Sequence, residues 1–264
     1  MKTARSLVAA PALDLSLLGR WERPVRLGLA MFSAFTAGAF AWRLWVVLSV
    51  AAGSVVGVDR GIYREAALRW AGGGFWYYPE QLAGPYTILQ GHVLYPPTAL
   101  VWLVPAAYLP DALWWGLPIC VIAGITWRHR PAIWAWPLIG LCLSTFWSVE
   151  IIASGNPGLW IAMFVALGTI WRPAFALLLL KPSLGPFALL GVRNRGWWVL
   201  VGIYVLASLA FLPMWIDYVH VLLNGRGPLA VPWYSIRDVP LVSVPLIAWA
   251  ARSPSRTVDV AAPD

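Results

Sequence analysis

Residues 57–97 read GVDRGIYREAALRWAGGGFWYYPEQLAGPYTILQGHVLYPP. Here the long apolar runs of the chain pause, and polar and aromatic side chains gather. Asp59 follows closely on one apolar run and Tyr95-Pro96-Pro97 stands just before the next. The stretch is therefore expected to be a loop held at a membrane surface, with the rest of the chain as its scaffold. Asp59 is a good N-cap residue, and Ile62, Tyr63, Ala66, Ala67 and Trp70 recur at helical spacing. The expectation is a short amphipathic helix whose apolar face lies on lipid. Arg60, Arg64, Glu65 and Arg69 take the other face, with Glu65 and Arg69 spaced for an i, i+4 pair. Gly72-Gly73-Gly74 stops the helix, because glycine is disfavoured there by backbone entropy.

Outward from this stretch, the 264 residues are 60% hydrophobic and only 11% charged, and the mean hydropathy is +0.71. That composition excludes an ordinary soluble domain and indicates a polytopic membrane protein. Many of the 19 tryptophans, among them Trp114, Trp127, Trp147, Trp171 and Trp197, stand near the ends of apolar runs, as interfacial rings do. The net charge of +8 sits in small clusters between apolar segments. A positive-inside topology accounts for it better than nucleic acid, which is not expected as a partner. Cys120 and Cys142 lie inside apolar runs and read as buried packing residues. With His92, His129 and His220 scattered, neither a disulfide framework, a metal site nor a cofactor is expected.

Residues 1–26 carry Lys2, Arg5, Arg20, Arg23 and Arg26 without a clean signal-peptide core, and read as a basic cytosolic N-terminus. A first span of about 27–50 meets the roughly 20 residues needed to cross a ~30 Å core. Arg43 within it must snorkel or face a protein- or water-lined cavity. Further apolar segments occupy about 96–109, 112–127, 132–147, 157–171, 173–190, 197–213 and 238–251. Eight full crossings would place Arg128-His129-Arg130 and Arg172 outside, against the charge bias. If 96–127 makes one net crossing and 173–190 is a hairpin dipping in around Lys181-Pro182, those clusters become cytosolic. The expected architecture is an all-α polytopic transmembrane helical bundle, residues 27–251, with six crossings, outer loop 57–97 and a polar tail at 252–264.

Gly57-Val58-Asp59, Tyr63, Ala66-Ala67, the glycines at 72–74, Tyr86, Tyr95-Pro96-Pro97 and Pro105 resemble the opening signature of glycosyltransferase family 87. Its members are polyprenyl-phosphate-mannose-dependent mannosyltransferases of the GT-C fold. Ser154-Gly155-Asn156 is similar to the family's Gly-Gln motif with asparagine substituted, and Lys181-Pro182 to its Lys-Pro element. The matching motifs run from about 57 to 182. Family members are usually longer, with additional C-terminal spans, which marks this chain as shortened or divergent. The resemblance implies an inverting hexosyltransferase of the plasma (inner) membrane. Its partners would be a polyprenyl-phosphate sugar donor, a lipid or glycan acceptor, and membrane lipids.

A single displacement needs a carboxylate within reach of the acceptor hydroxyl, and Asp59 is the candidate base; it also fits a simple helix cap. Lys181, set between four leucines and Pro182, is the candidate cation for the phosphate leaving group. The competing role is a snorkelling anchor at a hairpin tip. Arg60 and Arg64 are alternative phosphate ligands or a solvated helix face. Tyr63, Tyr86, His92, Tyr95 and Asn156 are candidate substrate contacts, against an interfacial aromatic belt and plain loop polarity. Trp76 and Tyr77 read mainly as belt residues. Glu150 reads as a loop-end charge or a substrate contact, and Asp217 and His220 as marks of a second interfacial helix. A transporter would also bury Arg43 and Lys181, but would more often show repeated halves, and none is visible. A noncatalytic assembly subunit would keep the spans without needing the carboxylate.

Overall fold

The computed structural model describes residues 15–50, 53–89, 91–227 and 236–252. Residues 1–14 of the basic N-terminus and 253–264 of the tail lie outside the described residues. The helices are α1 Glu22–Val50, α2 Val58–Ala71, α3 Pro79–Ala83, α4 Leu100–Ala106, α5 Asp111–Arg128, α6 Ala135–Ser144, α7 Phe146–Ser154, α8 Gly158–Ile170, α9 Gly185–Ala188, α10 Arg195–Ala210, α11 Leu212–Asn224 and α12 Val239–Ala250. A 3-10 run, Arg172–Leu180, follows α8. Two short strands, β1 (Tyr86–Thr87) and β2 (Gly225–Arg226), pair in parallel with Tyr86 opposite Gly225.

One helix, Leu18–Val50, is long and apolar enough to cross a membrane alone. Three bent pairs have the composition of a span when each is taken together: Pro97–Ala106 with Asp111–Arg128 (111°), Ala135–Ser144 with Phe146–Ser154 (61°), and Arg195–Ala210 with Leu212–Asn224 (87°). The bends fall where the sequence interrupts the helical ladder. Pro110 precedes α5, Thr145 turns extended and caps α7 through the Ser148 N–H, and Pro213 opens α11. α1 has one buried residue, Thr36, which packs where Gly140 of α6 leaves no room for a side chain. Arg43 is satisfied by donating to the Ser144 carbonyl, an acceptor freed at the end of α6.

These contacts set the direction of the chain. Thr36 meets Gly140 and Arg43 meets Ser144, so α1 runs alongside α6 in the same sense. The Gly57 N–H then donates to the Ala153 carbonyl at 3.0 Å, so α2 starts where α7 ends. α5, α8 and α12 all begin at this end: Asp111 pairs with Arg60, and Asp238 packs on Gly158. All three lead away to Arg128, Arg172 and Arg252. At that far end the Ala132 N–H donates to Ala251 O at 2.8 Å, and α10 starts with Gly196 against Pro173. α10 returns to the first end, where Phe211 lies against Trp70 of α2 with 5.8 Å between ring centroids.

Residues 172–191 fold as a hairpin between the two ends. Lys181 at its tip meets Asp238, while Arg172 at its base donates to Leu190 O. Arg128, Arg130, Arg172 and Arg252 thus share the end opposite α2. Burial corrects several expectations. Tyr63, Ala66 and Ala67 are buried inside the protein, on a helix that packs against α4; the apolar face of α2 does not lie on lipid. Trp114 and Trp197 are core residues, whereas Trp127 and Trp171 are exposed. Cys120 is exposed on α5 and so is no packing residue.

Candidate active site

A cavity of about 330 Å³ opens where α2, α7 and the 236–238 turn meet, lined by Asp59, Tyr63, His92, Trp147, Glu150, Ser154, Asn156, Lys181, Arg237 and Asp238 among others. Asp59 does not cap α2. Gly57, left-handed at φ 73°, is the N-cap, and Asp59 is the second helical residue, where the helix dipole favours a carboxylate. Its Oδ2 accepts from Ser154 Oγ at 2.9 Å and from Asn156 Nδ2 at 2.7 Å. Among the described residues nothing donates to Oδ1. Asn156 is itself fixed, because its Oδ1 accepts from the Gly158 N–H at 2.8 Å at the start of α8.

The turn between Ser154 and Asn156 depends on Gly155. Its φ of 68° is left-handed, and a Cβ there would fall 2.6 Å from the Trp115 ring and 3.0 Å from Arg60 Cβ. Two indoles hold this turn in place: Trp114 Nε1 donates to Gly155 O at 2.9 Å and Trp115 Nε1 to Ile152 O at 2.7 Å. Arg60 stacks over both rings at 5.9 and 5.8 Å, pairs with Asp111 and donates to Leu109 O at 3.0 Å. Arg64 donates to Ala107 O at 3.0 Å. Both arginines fasten α2 to the turn between α4 and α5, and neither lines the cavity; the phosphate-binding expectation for them is corrected on that ground.

Lys181 is buried and forms an ion pair with buried Asp238, Nζ to Oδ2 2.7 Å. Its ammonium also lies 5.2 Å from the Tyr95 ring centroid. Tyr95 in turn meets Tyr63 edge-on at 5.1 Å. The Tyr95 carbonyl accepts from Tyr77 Oη at 2.8 Å and from Trp76 Nε1 at 3.4 Å, so these two buried residues form the floor under Tyr95 instead of an interfacial belt. Burial pushes the Tyr77 phenol up, beyond its ordinary range, and it stays protonated as a donor. Tyr86 is also interior: it donates to Val221 O at 3.1 Å and accepts from Gln81 Nε2 at 3.2 Å. It supports His92, whose ring it meets edge-on at 5.0 Å, and does not line the cavity. His92 does, with Nδ1 accepting from the Leu89 N–H at 3.1 Å. Arg69 turns to Phe75 O and the Tyr78 hydroxyl and makes no ion pair with Glu65.

The cavity thus gathers Asp59, Tyr63, His92, Asn156 and Lys181, leaves Tyr95 immediately beneath, and excludes Arg60, Arg64 and Tyr86. Arg237 and Asp238 also belong to it, and the sequence analysis singled out neither, taking 238 only as the start of an apolar segment. One signal pointed there: a lysine among leucines requires a buried counter-charge, and few acids remain in the chain to supply it. Among the described residues no group of three or more His, Cys, Asp and Glu is placed to hold a metal ion. Chemically, the arrangement offers one carboxylate, Asp59, anchored through a single oxygen, and two cations, Lys181 and Arg237, in the same cavity lining as Glu150 and Asp238. In comparisons with protein-family models, curated proteins and solved structures, the chain matches none.

Proposed function

We propose that the chain is an inverting membrane glycosyltransferase that moves a hexose, mannose by the family resemblance, from a polyprenyl phosphate to a hydroxyl of a lipid or glycan. The observation that carries this reading is the anchoring of Asp59, whose Oδ2 is held by Ser154 and Asn156 in the lining of a cavity that also contains Lys181. Two donors on one oxygen fix the rotamer and leave the other oxygen to take a proton. The acceptor oxygen attacks C1 from the face opposite the phosphate as Asp59 removes its proton. The C1–O bond to the phosphate breaks with its electron pair, and polyprenyl phosphate leaves carrying the added negative charge. Lys181 and Arg237 stabilise that charge as it develops. His92 and Tyr63 contact the sugar.

In this reading the protein passes the plasma membrane six times, through α1, α4–α5, α6–α7, α8, α10 and α12, with the hairpin 172–191 re-entering from the basic side. The gathering of Arg128, Arg130, Arg172 and Arg252 at the end opposite the cavity supports that placement, with Arg60 and Arg64 of the cavity end held by backbone carbonyls. A second reading, a noncatalytic assembly subunit, draws on the Lys181–Asp238 pair, which is satisfied internally and requires no ligand. Membranes containing the protein and a polyprenyl phosphate carrying a labelled hexose decide between them. Label appearing in a new glycolipid or glycan with inverted anomeric configuration is expected. Undiminished donor with a range of hydroxylic acceptors would favour the assembly role.

A further inference from the structure

The end opposite the cavity carries charges for which the proposed reaction has no use. Arg172 and Arg252 share one indole: their guanidinium carbons lie 4.5 and 5.6 Å from the Trp249 ring centroid. Burial and the neighbouring Arg252 both work against the charge on Arg172. Backbone pairing brings a third arginine to this end, since Pro131, next to Arg130, forms an antiparallel bridge with Arg252. The adjacent Arg130 has φ 47°, a left-handed conformation uncommon for a residue with a side chain. It lines, with Trp127, Pro131 and Trp136, an open cavity of about 530 Å³. Among the described residues the ion pairs involve none of Arg128, Arg130, Arg172 and Arg252.

Two simpler explanations cover part of this. Helix C-termini favour cations, which suits Arg128 at the end of α5, and topological charge bias places arginines in cytosolic turns. Neither accounts for two guanidinium groups set on one half-buried indole beside a third that borders an indole-walled cavity. We infer that this end is a binding site for the headgroup of an anionic phospholipid. Arg172 and Arg252 neutralise its phosphate, Arg130 reaches it from the lip of the cavity, and the Trp127 and Trp136 rings receive the glycerol region at interfacial depth. The inference is independent of the glycosyltransferase reading and requires only that the protein sit in a membrane.

Thermal unfolding of the full chain in nanodiscs tests it. In discs of phosphatidylcholine with one-fifth phosphatidylglycerol, the midpoint is expected to rise by about 3 °C over pure phosphatidylcholine, the scale on which modest binding moves a chain of this length. Arg172→Gln with Arg252→Gln should abolish the rise. Arg193→Gln with Arg195→Gln, which removes the same charge from the same end but from side chains that are not on the Trp249 ring, should keep it. Equal loss in both double variants would reduce the effect to general surface attraction and overturn the site. A full rise produced by inorganic phosphate in neutral discs would assign the cluster to a free anion instead. If the Arg172 and Arg252 pair proves too unstable to purify, Arg252→Gln alone with phosphatidylglycerol retention read by native mass spectrometry substitutes for it; undiminished retention would equally overturn the inference.

Discussion

Replacing Lys181 by methionine should unfold the protein more easily, whatever it does to activity. Lys181 is 8% exposed and Asp238 4%, with 2.7 Å between Nζ and Oδ2. At an effective dielectric constant of about 20, the gross attraction at this separation is ~6 kcal/mol, and desolvating the two ions costs several kcal/mol each in opposition. The pair is therefore near balance, but either member alone is not. Lys181→Met leaves a carboxylate wedged against Gly158, where even a Cβ would lie 2.5 Å from Asp238 Oδ1, with no cation to meet it. The expected loss is about 3–5 kcal/mol. Asp238→Asn should cost a similar amount, and the double variant less than either single one. Unfolding of the three variants in nanodiscs, closed as a double-mutant cycle, measures the coupling. A Lys181→Met protein within ~0.5 kcal/mol of wild type would refute the buried pair and return Lys181 to a snorkelling anchor at a hairpin tip.

Two other substitutions probe the site and the topology. Asn156→Asp keeps the oxygen that caps Gly158 but turns the donor to Asp59, now 2.7 Å away, into a second carboxylate. One of the two must then hold a proton, so the acid limb of the pH–rate profile should move to higher pH, and stability should fall as pH rises through the raised pKa because the folded state holds the extra proton; an unmoved limb would count against Asp59 as base. Cysteine at Glu65, exposed on α2, in a Cys120→Ser, Cys142→Ser background, should react with an impermeant thiol reagent in intact cells. Reaction only after the membrane is broken would invert the orientation proposed for the cavity.

What was legible in the sequence was periodicity and interruption. The 3.6-residue spacing of Ile62, Tyr63, Ala66 and Ala67 announced α2, and the glycines ended it at Gly72. Lys181-Pro182 inside a leucine run announced the hairpin, and the stretch MWIDYVHVLL became amphipathic α11. The partner of each face was not legible, because a period records that a face is buried and not what covers it. The same apolar stripe fits lipid or α4, and the wide availability of tryptophan to both interface and core hid the interior places of Trp76 and Trp114. Asp59 looked like a cap because it is the first capping residue type ahead of the pattern. The left-handed Gly57, tied to Ala153 by a contact across the chain, caps the helix two residues earlier than Asp59 would. The Lys181–Asp238 pair joins residues 57 positions apart; no local rule connects them, and only the need of a buried cation for a counter-charge does.

Asp59 as the base that activates the acceptor is the central claim, and single-turnover sugar transfer by Asp59→Asn at saturating polyprenyl-phosphate hexose addresses it most directly. Asparagine fills the same volume, so the folded yield should be close to wild type, with donor still bound and retained. The transfer rate is predicted to fall by about 10²–10⁴-fold, the contribution of a positioned general base. A folded Asp59→Asn protein that transfers the sugar within about threefold of the wild-type rate would contradict the account.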